Sequence, residues 1–505
     1  MKRIIFALFA LCSLTAQAKV QLPKFFADNM VLQQQTECRI WGWADAGKTV
    51  TVTTSWDGKA YKTKAQSDGR FEVAVQTPVA GGPYDITLAE QKSNTHHPSP
   101  NTHHPSPNTQ HPTPITLKNI LIGEVWICSG QSNMEMQMKG FKQQPVEGTT
   151  EELLRCRDSQ LRLFTVKRNA SLTPVNDVTG QWSEADAASV RDFSACAYYF
   201  GRALRQSLGV PVGLIATSWG GSACEAWMTA DWLKAFPKVN QHVTEADVKK
   251  LQQRCPTALY NGQLFPLIGY GIKGAIWYQG EDNIPRYDYY APLMARMVQG
   301  WRDDWRQGEF PFYYCQIAPY DYSLIGWKDS QLLREQQLKA ESMIPNARMA
   351  VLMDAGLEYG IHPRKKRQAG ERLALLALSN TYNLKGLPDF ATYKETAFQN
   401  DTCVISFDRS KEWVYLENGP TTSKNFEVAG QDRQFHPATK VWVSRNHVYV
   451  ICDEVKQPAA VRYAWRDWVE GDLMHDGLPV SSFRSDNWEL QPVSTQSKGD
   501  YNEPK

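Results

Sequence analysis

Ile120-Leu121-Ile122-Gly123-Glu124-Val125-Trp126-Ile127-Cys128-Ser129-Gly130-Gln131-Ser132-Asn133-Met134 is an apolar run that breaks at a small polar cluster. The run from Ile120 to Ile127 reads as a buried strand, and the residues from Met134 to Met138 suit the start of a helix. A serine on a turn between such a strand and helix is presented at the carboxyl edge of an open α/β sheet, where these sheets bind ligands. The unpaired N–H groups of a helix start favour a developing oxyanion. Gly130 lets the chain bend and lets a substrate approach the backbone closely. The same serine also suits a plain helix cap.

Working outward, Ile276-Trp277-Tyr278-Gln279-Gly280-Glu281-Asp282-Asn283 is a second strand that ends in a Gly-containing polar turn. Ile361-His362-Pro363-Arg364-Lys365-Lys366 sets a histidine just ahead of a helical stretch from Gln368 to Leu378, with Pro363 at a position typical of helix starts. Together with Ser218-Trp219-Gly220-Gly221-Ser222 and Ala258-Leu259-Tyr260-Asn261-Gly262, these stretches resemble the sialate O-acetylesterase family, a branch of the SGNH (GDSL-like) hydrolases. The resemblance runs from about Val20 to about Trp488.

The remaining pattern agrees with an α/β protein. Strand-like runs at Ile120–Ile127, Leu161–Thr165, Val212–Thr217, Ala275–Tyr278, Phe312–Ile317 and Met349–Met353 alternate with helical stretches at Ser194–Leu208, Leu293–Asp303, Leu332–Met343 and Gln368–Leu378. This alternation predicts a parallel sheet with helices on both faces across residues 115–387. Residues 19–92 read as an N-terminal β-sandwich of short strands separated by turns such as Asp57-Gly58. Residues 388–493 return to strand patterns and form an expected C-terminal β-rich domain, followed by a polar tail at 494–505.

Two segments stand outside these domains. Residues 1–18 have a basic start (Lys2, Arg3), an apolar core and an Ala16-Gln17-Ala18 cleavage pattern, which predicts a signal peptide and a secreted or periplasmic protein beginning at Lys19. The apolar core is too short for a membrane span, and no later segment is long and apolar enough for one. Residues 93–114 carry the Asn94–Pro100 heptad and its repeat, with histidines at 96, 97, 103, 104 and 111. The frequent prolines resist a compact metal cage, so this segment reads as a disordered insertion rather than a metal site. The formal charge of +2 excludes a strong electrostatic field for nucleic acid or membrane. One of the ten cysteines, Cys12, lies in the leader. An exported chain permits one or two disulfides among the rest, with pairing that sequence does not assign, while Cys128 and Cys224 read as buried thiols.

Acyl transfer needs a nucleophile, a base, a group that orients the base and donors for the oxyanion. The resemblance implies Ser132 as nucleophile and His362 as base. It also implies oxyanion donors at Gly220 or Gly221 and at Gln279, with Asn261 as a further amide. Many family members carry an aspartate two residues before the histidine, where this chain has Gly360. Three carboxylates remain for the acid, Glu281 in the Gln279-Gly280-Glu281 turn first, then Asp354 and then Glu358, and a dyad in which a backbone carbonyl orients His362 is the alternative. The implied activity is serine carbohydrate O-acetylesterase chemistry on O-acetylated sialic acids, or alternatively on plant glycans such as acetyl-xylan or acetyl-pectin. It requires neither cofactor nor metal. A glycan-binding protein without catalysis is disfavoured by the intact Ser132, Gln279 and His362. A lipase-like member would need a long apolar groove, whereas the loops here are rich in Trp, Tyr, Arg and Asn.

Overall fold

The computed structural model describes residues 20–90, 114–410 and 413–489. The expected leader and tail lie outside these residues, as does the His/Pro insertion apart from Pro114.

The first compact unit is arranged around the strand Ile115–Gly130, whose burial changes along its length. The first residues alternate between exposed and buried, but from Ile120 onward every residue is buried. The first half pairs antiparallel with Gly81–Glu90 and parallel with Val31–Gln33. The second half is the centre of a sheet in the spatial order 347–350, 312–315, 274–278, 115–130, 212–218, 158–165, 182–185. All neighbours in that sheet are parallel except the edge strand Trp182–Ala185. Val212–Ser218 and Gly274–Tyr278 are wholly buried, as expected of parallel strands covered on both faces.

The chain order places the strands that follow on opposite sides of Ile115–Gly130, making it a topological switch point where a crevice opens at the carboxyl edge. Register then fixes what lines this edge. Gly130 is the partner of both Ser218 and Tyr278, so the three strands end level with one another. A side chain at Gly130 has no room, since a Cβ there would lie 2.1 Å from the Tyr278 carbonyl oxygen, and its φ of 141° is one that other residues rarely adopt.

Helices form at Ala195–Leu208, Tyr290–Trp305, Ser330–Met343 and Lys366–Asn380, each beginning at or before its expected start except the first. Ser194 caps the Ala195 helix by accepting from the Ala197 N–H at 3.1 Å, and Gly209 closes it in the left-handed conformation. No helix among the described residues is long and apolar enough to cross a membrane.

The expected domain limits shift. The N-terminal β region is not a separate compact unit, because one strand continues from its sheet into the parallel sheet and Phe25, Phe26, Trp41 and Tyr270 form one aromatic cluster. The expected 115–387 domain is also discontinuous. Ala318–Leu338 and Val351–Ile361 group with the residues from Gly386 onward in a second unit. The strand expected at Met349–Met353 is observed at Ala347–Ala350. Within the second unit, antiparallel sheets form from 392–399, 402–408, 447–451 and 440–444, and from 435–437, 426–429, 460–463 and 483–484. The nine cysteines among the described residues are all buried free thiols, so the disulfides allowed by the sequence are not formed.

Candidate active site

Ser132 is the first residue of a one-turn helix, Ser132–Glu135, and is half-buried between the buried Gln131 and Asn133. Hydrogen bonds stitch its turn to both neighbouring strand ends. The Gln131 N–H donates to the Tyr278 carbonyl at 2.9 Å, and Gln131 Oε1 accepts from the N–H groups of Gly280 and Asp282 at 3.2 and 3.4 Å. On the other side, the Gly130 carbonyl accepts from the Trp219 N–H at 3.1 Å and from Ser222 Oγ at 3.3 Å. Each such bond contributes about 1 kcal/mol net, and losing one partner leaves a buried group unsatisfied at about 1–3 kcal/mol. Ser194 Oγ donates to the Met134 carbonyl at 2.5 Å, so the cap of the following long helix also steadies the serine helix.

Gly220 lies against the nucleophile candidate, where an added Cβ would come within 3.3 Å of Ser132 Cβ and 3.1 Å of a Glu135 carboxylate oxygen. The glycine pair was expected to supply an oxyanion N–H. The Gly220 N–H, however, donates to Glu135 Oε2 at 2.7 Å and is not turned to an oxyanion site in this state. Glu135 in turn accepts two bonds from Arg168, whose guanidinium lies 5.5 Å from the Trp219 ring centre. Gly221, with a φ of 69°, makes the turn, and the Ser132 N–H is one of the helix-start donors without an intrahelical partner.

Gln279 departs from its expected oxyanion role. Its side chain is wholly buried, Nε2 donates to the Ser222 carbonyl and to Asn283 Oδ1 at 3.0 and 2.7 Å, and Oε1 accepts from Tyr290 at 2.8 Å. The extended strand directs this amide into the core, where it is fully engaged. Asn261 is similarly engaged, donating to the carbonyls of Ser171 and Leu172.

His362 is half-buried, edge-on to Phe141 with ring centres 5.0 Å apart. Its Nδ1 stands 2.5 Å from Gln144 Oε1. An amide oxygen only accepts, so Nδ1 carries the proton and Nε2 is left as the basic nitrogen. Burial first, and the Lys366 cation second, lower the His362 pKa from 6.5 to about 4. The imidazole is therefore neutral and able to accept a proton at neutral pH.

Glu281 does not orient His362 as the sequence led us to expect. It is buried, Oε1 accepts from Asn133 Nδ2 at 2.5 Å, and Oε2 has no hydrogen-bond partner. Burial raises its pKa above the usual carboxylate value, opposed by the Asn133 bond and by Lys366. Asp354 and Glu358 are half-buried and belong to the Val351–Ile361 segment of the second unit, with Glu358 engaged with the Tyr359 hydroxyl. The residue that sequence reasoning missed is Gln144. It sits in the loop after the serine helix, in Gln143-Gln144-Pro145, and nothing in that composition marks it.

A cavity of about 260 Å³ is lined by Glu135 of the serine helix and by Phe141, Arg168, Ser194 and Ser218 among others. Phe141, which packs on His362, and Glu135, which accepts from the Gly220 N–H, both line this space. A serine at a helix start, a neutral imidazole with Nε2 free to act as a base and a cavity of this size with both polar and apolar walls suit nucleophilic attack on a small ester.

Residues 122–378 match the family model for carbohydrate esterases described as sialic acid-specific acetylesterase. The chain is similar to the sialate O-acetylesterase of Rattus norvegicus, at 27% identity over 88% of this chain and 89% of that one. It is also similar to the Homo sapiens sialate O-acetylesterase, at 29% identity over 89% and 88%. Among solved structures, a carbohydrate acetylesterase from Xanthomonas citri matches with a TM-score of 0.81 and 32% identity, covering 93% of this chain and 100% of that one.

Proposed function

The chain belongs to the sialic acid-specific acetylesterase family of carbohydrate esterases, and from that premise we propose that it removes acetyl groups from O-acetylated sialic acids with Ser132 as nucleophile and His362 as base. Ser132 Oγ attacks the acetyl carbonyl carbon while His362 Nε2 takes its proton. The tetrahedral oxyanion is met by the Ser132 N–H and, on its release from Glu135, by the Gly220 N–H. His362 then returns the proton to the departing sugar oxygen. Water, activated by the same nitrogen, releases acetate from the acetyl-serine. Gln144 orients His362 through Nδ1, and Glu281 acts on the serine turn through Asn133.

One observation carries this reading: three parallel strands end level, and hydrogen bonds from Gln131 and Gly130 join their turns around Ser132. The sialate part rests on the rat and human relatives. A second reading, acetyl release from another carbohydrate, is favoured by the higher identity to the Xanthomonas citri acetylesterase. Acetate release measured on O-acetylated sialic acids, acetyl-xylan, acetyl-pectin and acetyl to octanoyl p-nitrophenyl esters separates these. Turnover of the sialic acids well above that of the polysaccharides supports the first reading. Preference for acetyl-xylan overturns it in favour of the second, and a maximum at octanoyl would sink both.

We also propose export, on the basic, apolar and Ala16-Gln17-Ala18 pattern of residues 1–18. N-terminal sequencing of the purified native protein is expected to read from Lys19, and an intact Met1 refutes processing.

A further inference from the structure

Lys366 breaks two local rules at once. It is 1% exposed, and burying an ammonium without a counter-charge is costly. It is also the first residue of the Lys366–Asn380 helix, the end whose dipole favours anions and disfavours cations. A residue that violates local preference in this way marks a place where the fold serves something other than stability.

Its contacts lead to the serine. Lys366 Nζ donates to Asn133 Oδ1 at 2.5 Å, and Asn133 Nδ2 donates to Glu281 Oε1 at 2.5 Å. The ammonium also lies 5.3 Å from the Tyr278 ring centre. Asn133 adjoins Ser132, Tyr278 and Glu281 flank the turn after their strand, and Lys366 stands four residues after His362. A single buried chain thus joins the three separate stretches that bear the site.

We propose that Lys366 is a positioning residue for the acetyl transfer, its ammonium acting through Asn133 and Glu281 to hold the Ser132 turn, the Glu281 turn and the His362 stretch in one geometry. The proposal rests on the roles given above to Ser132 and His362. The two ends of the chain carry opposite charge, so each offsets the burial of the other, and the amide between them is fixed at both its oxygen and its nitrogen. Asn133 then has one orientation, and so does the backbone that sets Ser132.

The charged and titratable groups around Lys366 are His362 from its own stretch, Glu281 from the turn after Tyr278, Cys196 from the Ala195 helix and Cys315 from the neighbouring strand. The cation acts on His362 and Glu281 in the same sense, opposing protonation of both. Removing it raises the pKa of both groups, so the acid limb of the rate profile moves to higher pH.

The test uses the full-length protein with p-nitrophenyl acetate, which makes it independent of the sugar. Misplacing a site of this kind costs about 100-fold, so Lys366→Met is expected to lower kcat by about that factor with KM within about threefold. The acid limb of its kcat/KM profile is expected to move up in pH, a change that a merely structural lysine would not produce. Wild-type kcat, or an acid limb left where the wild type has it, overturns the proposal. Should Lys366→Met not be recovered folded, Asn133→Leu cuts the same chain with the cation retained, and wild-type kcat in that variant overturns the proposal equally. Ser132→Ala is run alongside. Turnover in that variant refutes the site itself, whereas an inactive Ser132→Ala beside an undiminished Lys366→Met refutes only the positioning role.

Discussion

The serine side and the histidine side of this site are built differently. Ser132 stands where three strands end in register, and its turn is bonded to both neighbours through Gln131 and Gly130. His362 stands ahead of a helix, held by one side-chain bond to a loop glutamine and by the edge of Phe141. The nucleophile is therefore fixed by the sheet, whose geometry is over-determined, while the base depends on few contacts. Changes near the serine should act through stability and positioning together. Changes near the histidine should act on rate and pH dependence with little loss of fold.

The sharpest break of this comparison removes the reacting atoms. Ser132→Ala and His362→Ala are each expected to lower kcat by about 10³-fold or more, and the double variant should be no slower than the worse single one, because groups acting as a unit are non-additive. Initial rates with p-nitrophenyl acetate and thermal melts check this. A double variant far slower than either single would mean that the two residues do not work together.

Next comes the orienting group. Gln144→Leu removes the acceptor at Nδ1 and is expected to lower kcat by about 10–100-fold at nearly constant KM, with the melting temperature close to wild type. Glu281→Gln keeps an acceptor for Asn133 and is expected to cost less. Parallel kinetics on Asp354→Asn complete the comparison. If that variant, and not Gln144→Leu, is the crippled one, the orienting role belongs to the Val351–Ile361 segment.

The pH dependence of stability is a smaller effect. His362 has a pKa of about 4 in the folded protein against 6.5 as its ordinary value. Folding thus favours the neutral ring, and the contribution is complete above about 6.5 and is withdrawn as pH falls toward about 4. The expected loss is on the order of 1–3 kcal/mol, and His362→Gln should remove that part of the slope. Denaturant unfolding from pH 7 to pH 4 measures it, and parallel slopes in the two proteins would contradict a buried neutral imidazole.

The smallest effect is expected far from both sides. Leu88 and Ile115 are paired neighbours, so the residues between Glu90 and Pro114 connect strand ends that already meet. Deleting Asn94–Pro112 should leave kcat within about twofold and change stability by less than about 1 kcal/mol, since long loops add little closure cost. A larger loss, restored in the intact protein by zinc, would instead assign the histidines a metal.

The serine turn was legible because its signals are local. An apolar run that halts at Gly130-Gln131-Ser132 announces a buried strand and a sharp turn whatever surrounds it, and the stretch at Gln279-Gly280-Glu281 does the same. The α/β alternation and the place of His362 ahead of a helix are of this kind too, since strand and helix periodicities are written within a dozen residues. Tertiary structure alone decided the partners. Gln144 meets His362 across more than two hundred residues of sequence, and no local pattern distinguishes it from Gln143. The Gln279 amide could not be assigned from its position, because its orientation depends on Tyr290, Asn283 and the Ser222 carbonyl. Glu281 turned to Asn133 and Lys366 rather than to His362 for the same reason. Backbone periodicity is a property of neighbours in sequence, but the pairing of polar side chains is set by which donors and acceptors the packed core brings within about 3 Å of one another.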